Sequence, residues 1–398
     1  MIALRGRRIV LAVSGSIAAY KAVQIASDLF KAGALVDTIL TAGALQFIQP
    51  LSFRAITHRL VASDLWDPHH PSGVLHVDLA DFAEALLIAP ATAHTLARLA
   101  LGLADDLLGC VALSTHAPLV LAPAMESRMW LHPATQQHLA ALRERGATIV
   151  EPGTGHLASG ASGIGRMAEP ATILGHLAAV LGRGGDLAGR HVVVTAGGTR
   201  EPIDPVRYIS NRSSGKQGYA IAEAARDRGA RVTLITSAGL PPPPAVTAIP
   251  VESAEEMLAA VATACREADV LVMAAAVADY RVAAPAPEKI KKQDERLTLD
   301  LVKNPDILAS VRGDFVRVGF AAETENLLAN AAEKLRAKGL DLIVANDVSA
   351  SDAGFAVDTN RVVFLSPDGV ESLPLLSKRE VADRILDRVV ERLRARHA

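Results

Sequence analysis

The chain has 398 residues, half of them apolar, and a net charge of −2. That length predicts two or three domains, and the near-balance of charge excludes the basic bias that nucleic-acid binding would require. Two cysteines, Cys110 and Cys265, exclude a disulfide framework; with no apolar run of membrane-spanning length and no cleavable signal after Met1, a cytoplasmic enzyme without membrane partners is expected.

In chain order, Arg8–Val13 reads as a strand that turns through Ser14, Gly15 and Ser16 into a helix over 17–31. Further strands are predicted at 35–40, 85–89, 119–122 and 148–150, with helical periodicity between them. This alternation predicts a parallel, doubly wound α/β sheet with ligands at the strand C-termini. Three polar turns fall at those ends: Ser14-Gly15-Ser16, Thr41-Ala42-Gly43 and Pro90-Ala91-Thr92. Singly each is a helix cap. Together, with no acidic residue of the ribose-binding type after the second strand, they favour a mononucleotide phosphate over a dinucleotide. His76, in LHVDL, is placed just before a strand and beside Asp78 and Asp81. The Gly- and Ser-rich segment 156–167, HLASGASGIGRM, reads as a loop of the kind that closes over active sites.

A polar linker at 182–190 leads to a second β/α series, with strands at 192–194, 232–236, 270–274, 316–320, 342–345 and 361–365 and a closing helix over 378–394. After its first strand, Gly197 and Gly198 would let backbone N–H groups approach a ligand. The turn 210–216 then brings hydroxyls and Lys216 to a helix N-terminus, a site for an anion. Neither GxxxxGK[ST] nor GxGxxG is present. Asp279 and Tyr280 follow an alanine-rich strand end. Lys289, Lys291 and Lys292 follow in a proline-containing loop, where ammonium groups would neutralise phosphate charge. Lys334 and Lys338 share one helix face.

The run TAGGTREPIDPVRYISNRSSGKQG (195–218), with AAAVADYR (274–281) and EKIKK (288–292), closely resembles the ligase half of the bifunctional phosphopantothenoylcysteine decarboxylase/phosphopantothenate–cysteine ligases. SGSIAAYK, TAGALQF and APATAHT resemble the flavin contacts of the cysteine decarboxylase flavoproteins. The resemblance implies two Rossmann-like domains in coenzyme A synthesis: a flavodoxin-like, FMN-binding decarboxylase over 1–181 and a CTP-dependent ligase over 191–398. It assigns Ser14, Gly15, Ser16, Thr41 and Thr92 to FMN, and makes His76 catalytic. It assigns Met273, Ala274, Ala275, Asp279, Lys289, Pro305, Asp306, Ile307, Leu308, Phe320, Lys334 and Lys338 to CTP. Asn211 would hold an acyl-cytidylate, Lys289 would stabilise charge at the α-phosphate, and Ala276 would contact substrate. Arg207 would reach 4′-phosphopantothenate from a neighbouring subunit. The nucleotide would carry Mg2+, for which no ligands are assigned. L-cysteine would be the amine, and the ligated product would be decarboxylated to 4′-phosphopantetheine. Trimeric flavin domains and dimeric ligase domains, up to a dodecamer, are implied.

Two positions depart from the family pattern. PAMESRMW carries Glu126 where the family has asparagine, and the segment 156–167 carries Ser159 where it has a proton-donating cysteine. An ionised Glu126 would repel a substrate carboxylate that an amide would bind. A serine hydroxyl is a far weaker acid than a thiol of pKa about 8.5. The expectation is a decarboxylase with a variant acid, drawn from Glu126, Ser159 or His156. The other reading is an active ligase fused to a non-catalytic or regulatory flavin-binding domain.

Overall fold

Short β-branched and aliphatic runs form the centre of two sheets, one wholly and one mainly parallel, in the units Met1–Gly182 and Arg183–Ala398. The computed structural model describes residues 2–68, 73–292, 296–323, 327–347 and 357–397.

The first unit contains β1 (Arg8–Val13), β2 (Leu35–Leu40), β3 (Val61–Ala62), β4 (Ala85–Ala91), β5 (Leu119–Pro123) and β6 (Thr148–Ile149), in the order β3-β2-β1-β4-β5-β6. All these pairings are parallel. Setting aside the two-residue edge β3, this is the flavodoxin-like order, with its switch point between β1 and β4. The helices are α1 (Ala19–Lys31), α2 (Pro50–Thr57), α3 (Leu75–Phe82), α4 (Ala93–Leu101), α5 (Leu107–Ser114), α6 (Ser127–Leu131), α7 (Pro133–Glu144) and α8 (Pro170–Leu181). Alternation along β1 sends Ile9, Leu11 and Val13 into the core with α1 and α8, and Val10 and Ala12 into the core with α3, α4, α5 and α7. Burial on both faces explains why β1 reads as an uninterrupted apolar run.

Two local readings change. LHVDL is part of α3, so His76 lies on the second residue of a helix. The segment 156–167 is ordered as an antiparallel hairpin, β7 (Gly153–His156) and β8 (Ser162–Arg166), in place of an open loop. Gly160, at φ +83°, permits the tight turn, in which the Leu157 N–H donates to the Ala161 carbonyl at 2.9 Å.

The second unit contains β9 (His191–Ala196), β10 (Arg200–Pro202), β11 (Tyr208–Ser210), β12 (Arg231–Thr236), β13 (Thr247–Pro250), β14 (Val270–Met273), β15 (Tyr280–Val282), β16 (Leu301–Lys303), β17 (Val316–Glu323), β18 (Leu342–Asp347), β19 (Thr359–Asn360), β20 (Val362–Ser366), β21 (Gly369–Ser372) and β22 (Leu376–Ser377). Its main sheet runs β13-β12-β9-β14-β17-β18-β20-β21. It is parallel as far as β18 and antiparallel beyond. Val192 and Val194 pack towards α9 (Lys216–Asp227) and α13 (Lys378–His397), while Val193 faces α10 (Ala254–Ala264), α11 (Ile307–Ser310) and α12 (Leu327–Lys338). Each fully buried valine contributes about 1.5–3 kcal/mol. Buried Asp227 accepts from Arg226 at 2.6 Å and from Arg379 at 2.8 Å, which ties the end of α9 to the start of α13.

Candidate active sites

In the first unit the three polar turns meet at the C-terminal edge of the sheet. The Ser14 hydroxyl, 1% exposed, donates to the Pro90 carbonyl at 2.7 Å and accepts from the Thr92 N–H at 3.1 Å. Gly15 lies so close to Gly43 that a Cβ added to it would stand 2.9 Å from the Gly43 carbonyl carbon. Thr92 caps α4 by accepting from the Thr95 N–H at 3.2 Å, and Thr41 accepts from the Ala44 N–H at 3.2 Å. Ser16 accepts from the Ala18 N–H at 3.2 Å, ahead of α1. The predicted residues Ser14, Gly15, Ser16, Thr41 and Thr92 therefore share one cradle of hydroxyls and N–H groups at two helix N-termini, a donor set suited to a phosphate monoester.

Glu126 follows β5 and caps α6. Its Oε2 accepts from the Arg128 N–H at 2.6 Å and lies 3.4 Å from the Arg128 guanidinium. His132 caps α7, accepting from the Ala134 N–H at 3.2 Å. The hairpin is fastened to this loop at its base. The Met125 N–H donates to the Gly165 carbonyl at 3.0 Å and the Ser127 hydroxyl to the Ile164 carbonyl at 2.6 Å. Ser159 is exposed at the hairpin tip, while His156 lies below it, 3.0 Å from the Ser162 hydroxyl. His76 is half-buried on α3.

The second unit encloses a cavity of about 1070 Å³ at the C-terminal edge of its sheet. Of the sequence-predicted residues, Asn211, Met273, Ala274, Ala275, Ala276, Asp279, Pro305, Asp306, Ile307, Leu308, Phe320, Lys334 and Lys338 line it. Asn211 Nδ2 donates to the Val277 carbonyl at 2.9 Å. Lys338 pairs with Asp306 at 2.7 Å and Lys334 donates to the Phe320 carbonyl at 2.8 Å. Burial alone would raise the Asp306 carboxyl, but Lys338 and the Ala309 N–H outweigh it and hold the group below its ordinary value. Buried hydroxyls fix the alanine-rich rim: Thr195 accepts from the Ala275 N–H at 3.1 Å and Thr199 from the Ala278 N–H at 2.9 Å.

Three of the features singled out in the sequence lie outside the lining of this cavity. Gly197 and Gly198 admit other parts of the chain, since added Cβ atoms would stand 2.5 Å from the Ser237 hydroxyl and 2.4 Å from the Asn211 carbonyl oxygen. Lys289 is exposed and lies outside the cavity lining. Arg207 is engaged within its own chain: its guanidinium grips buried Asp204 and donates to the Ile290 carbonyl at 2.9 Å. That guanidinium holds the Asp204 carboxyl well below the usual carboxylate range.

Sequence reading missed Asn346, Asn360 and Lys378, which line the same cavity. Asn346 carried a signal, as a polar residue ending the apolar run of a parallel strand. Asn360 and Lys378 carried none, because their placement depends on strand and helix pairing. Among the described residues, no group of three or more His, Cys, Asp or Glu side chains is gathered to hold a metal, and no helix is long and apolar enough to cross a membrane.

A flavoprotein family model matches residues 3–182, and a model of the DNA/pantothenate metabolism flavoprotein C-terminal domain matches residues 187–393. The chain is 43% identical to the coenzyme A biosynthesis bifunctional protein CoaBC of Bacillus subtilis strain 168, over 97% of each chain. It is 44% identical to the protein of the same name from Escherichia coli strain K12, over 98% of each. Among solved structures, the C-terminal domain of a CoaBC protein is 41% identical, with 53% of this chain and 98% of that one covered and a TM-score of 0.46. A PPC decarboxylase mutant complexed with pantothenoylaminoethenethiol is 37% identical, with 44% and 97% covered and a TM-score of 0.40.

Proposed function

The chain belongs to the family of bifunctional coenzyme A biosynthesis proteins and joins decarboxylase and ligase functions; on that premise we propose which residues perform each. The carrying observation is the cavity of about 1070 Å³, which gathers thirteen of the residues expected to bind nucleotide and acyl substrate. In the ligase unit, 4′-phosphopantothenate attacks CTP at the α-phosphate, forming an acyl-cytidylate and releasing pyrophosphate. The amine of L-cysteine then forms the amide, CMP departs, and one proton is released. Asn211 orients the acyl group beside Ala276, while Met273, Ala274, Ala275, Asp279 and the turn Pro305–Leu308 hold the nucleoside. Lys334 and Lys338 supply cationic charge to its phosphates, and Lys289 joins them from its loop. Mg2+ would enter with the triphosphate, because among the described residues only two carboxylates line the cavity and Lys338 already occupies Asp306.

In the flavoprotein unit, the Ser14, Gly15, Ser16, Thr41 and Thr92 cradle fits the phosphate of FMN. When bound, FMN supplies the two-electron oxidation of the substrate thiol that makes loss of CO2 feasible, and the return of those electrons. His76 serves the proton of the thiol. Ser159 at the hairpin tip and Glu126 beside its base are the groups that hold or deliver the proton. Exposed Ile17, Tyr20, Phe47 and Leu51 support assembly of this unit as a homo-oligomer, and two free thiols support a cytoplasmic setting.

The test separates the two halves on the full chain. Synthetic phosphopantothenoylcysteine supplied without CTP should yield CO2 and 4′-phosphopantetheine. Glu126→Gln should slow this by about 10²-fold or more, and Ser159→Ala by far less. Flavin bound with no turnover, beside an intact ligase, would overturn the decarboxylase assignment and leave a non-catalytic flavin module.

A further inference from the structure

β17 carries a charge that the ligase chemistry leaves unused. Val316 and Val318 on this strand face the core with α9 and α13. Between them Arg317 points to the opposite face, set beside Leu271 of β14, whose side chain belongs to the core with α10, α11 and α12. An arginine inside the apolar run of a parallel strand is costly to place there. Burial, and then the nearby Arg312 charge, push its guanidinium below its ordinary value, yet a guanidinium keeps its proton at neutral pH. A full charge is therefore held inside the unit, and it needs partners.

Those partners are backbone carbonyls at the ends of two helices. Nη1 donates to the carbonyl of Lys338, the last residue of α12, at 2.8 Å. Nη2 donates to the Leu308 carbonyl in α11 and, at 3.3 Å, to the Val311 carbonyl just past its end. Helix ends leave such carbonyls without an N–H, and a cation is favoured beside them. With four residues, α11 is too short to hold its own shape. Asp306 caps its start by accepting from the Ala309 N–H at 3.1 Å, and the Lys338 ammonium reaches the same carboxylate at 2.7 Å. Lys338 is thus joined to this turn at both ends, by its ammonium through Asp306 and by its carbonyl through Arg317. Gly319 closes the seat, since an added Cβ would stand 2.7 Å from Leu340 and 3.4 Å from Leu308. Arg317 itself lies outside the cavity lining, whereas Asp306, Ile307, Leu308 and Lys338 are part of it.

We propose that Arg317 is a positioning residue for the nucleotide, fixing the turn that holds the nucleoside at a set distance from the lysine that meets its phosphates. The proposal rests on the ligase reading above. Without the guanidinium, carbonyls from two helix ends face one another unpaired and the ends part. A brace of this kind acts on bound nucleotide and transition state alike, so it governs how tightly CTP is held more than how fast bound CTP reacts. Its planar fork of donors spans all of these carbonyls at once, which a single ammonium on the same strand cannot do.

Steady-state kinetics of pyrophosphate release by the full chain test it, beside the Tm of each variant. Arg317→Met, which keeps an unbranched stem and removes the donors, should raise KM for CTP about tenfold, with kcat lowered less than about threefold and KM for L-cysteine within about twofold. Arg317→Lys should recover part of that loss, and it carries the same comparison should the methionine variant fail to fold. Asp306→Asn should also raise KM for CTP. Because both substitutions act on one turn, the double variant should be little worse than whichever single variant holds CTP more weakly. An unmoved KM for CTP beside a lowered Tm would make Arg317 scaffold only, and a rise in every KM alike would overturn the proposal too. Effects that multiply in the double variant would show that the arginine does not work through this turn. No CTP-dependent pyrophosphate release from the unaltered chain would overturn the ligase reading, and the brace with it.

Discussion

The two units build their sites at the same place on similar sheets but secure them differently. In the flavoprotein unit the loops hold one another: Ser14 bonds to Pro90 and Thr92, Gly15 rests against Gly43, and Met125 and Ser127 fasten the hairpin. In the ligase unit the sheet and helices hold the loops: Thr195 and Thr199 fix the alanine-rich rim, and Lys338 fixes the Pro305–Leu308 turn through Asp306. Loop-to-loop contact leaves no spare room for a methyl group at Gly15. Loops held from the scaffold can border a cavity of about 1070 Å³ and leave the Lys289 segment outside its lining.

The strongest challenge to that contrast is Lys289→Gln. If the exposed lysine loop completes the cavity during reaction, pyrophosphate release should fall by about 10²–10³-fold; an unchanged rate would make the loop a solvated face and the scaffold-held cavity sufficient. Next is Gly15→Ala, whose Cβ would meet Gly43 backbone at 2.9 Å. A cost of about 1–3 kcal/mol is expected, read as weaker flavin retention and a lower Tm with ligase turnover preserved. Equal loss in both activities would mean that the cradle is not a separate unit of stability.

Smaller, and dependent on pH, is the effect of Asp204→Asn. Because Arg207 depresses the folded Asp204 carboxyl, the pair's stabilisation is complete above the unfolded aspartate value of about 3.9 and is lost as pH falls through the folded value. The variant should melt earlier than the parent at pH 7, and the gap should close in acid. A gap that persisted there would assign the effect to lost packing. The smallest effect expected is at Cys265, whose thiol burial pushes up to about 12. It should resist alkylation in the folded chain at pH 8, and modification there as fast as in denatured protein would show an open core.

Much of this architecture was legible in sequence because it is written locally. β1 and β2 match the predicted strands residue for residue, since strands buried on both faces need continuous apolar runs. The edge strands β13 and β21 were missed, since half-exposed edges need no such run, although the Pro-Asp-Gly turn at 367–369 was a usable hairpin signal. The site divides in the same way. Met273 to Ala276 and the turn Pro305–Leu308 sit at the ends of recognisable elements. Lys378 reaches the cavity only because α13 packs on α9, more than 150 residues earlier in the chain, and no local pattern records that. Gly197 and Gly198 show the converse: a familiar local signal for ligand approach also marks where Ser237 and Asn211 pass close to the backbone.

The lysine loop is rooted in the turn that carries Arg207. The Ala286 N–H donates to the Ile203 carbonyl at 2.9 Å, and Ile290 is bound through both its N–H and its carbonyl to Asp204 and Arg207. Lys289 therefore lies between two fixed points and has little backbone freedom of its own. A displacement of this backbone must break or carry along the Arg207 and Asp204 contacts to Ile290, so Lys289 and Arg207 share one anchor.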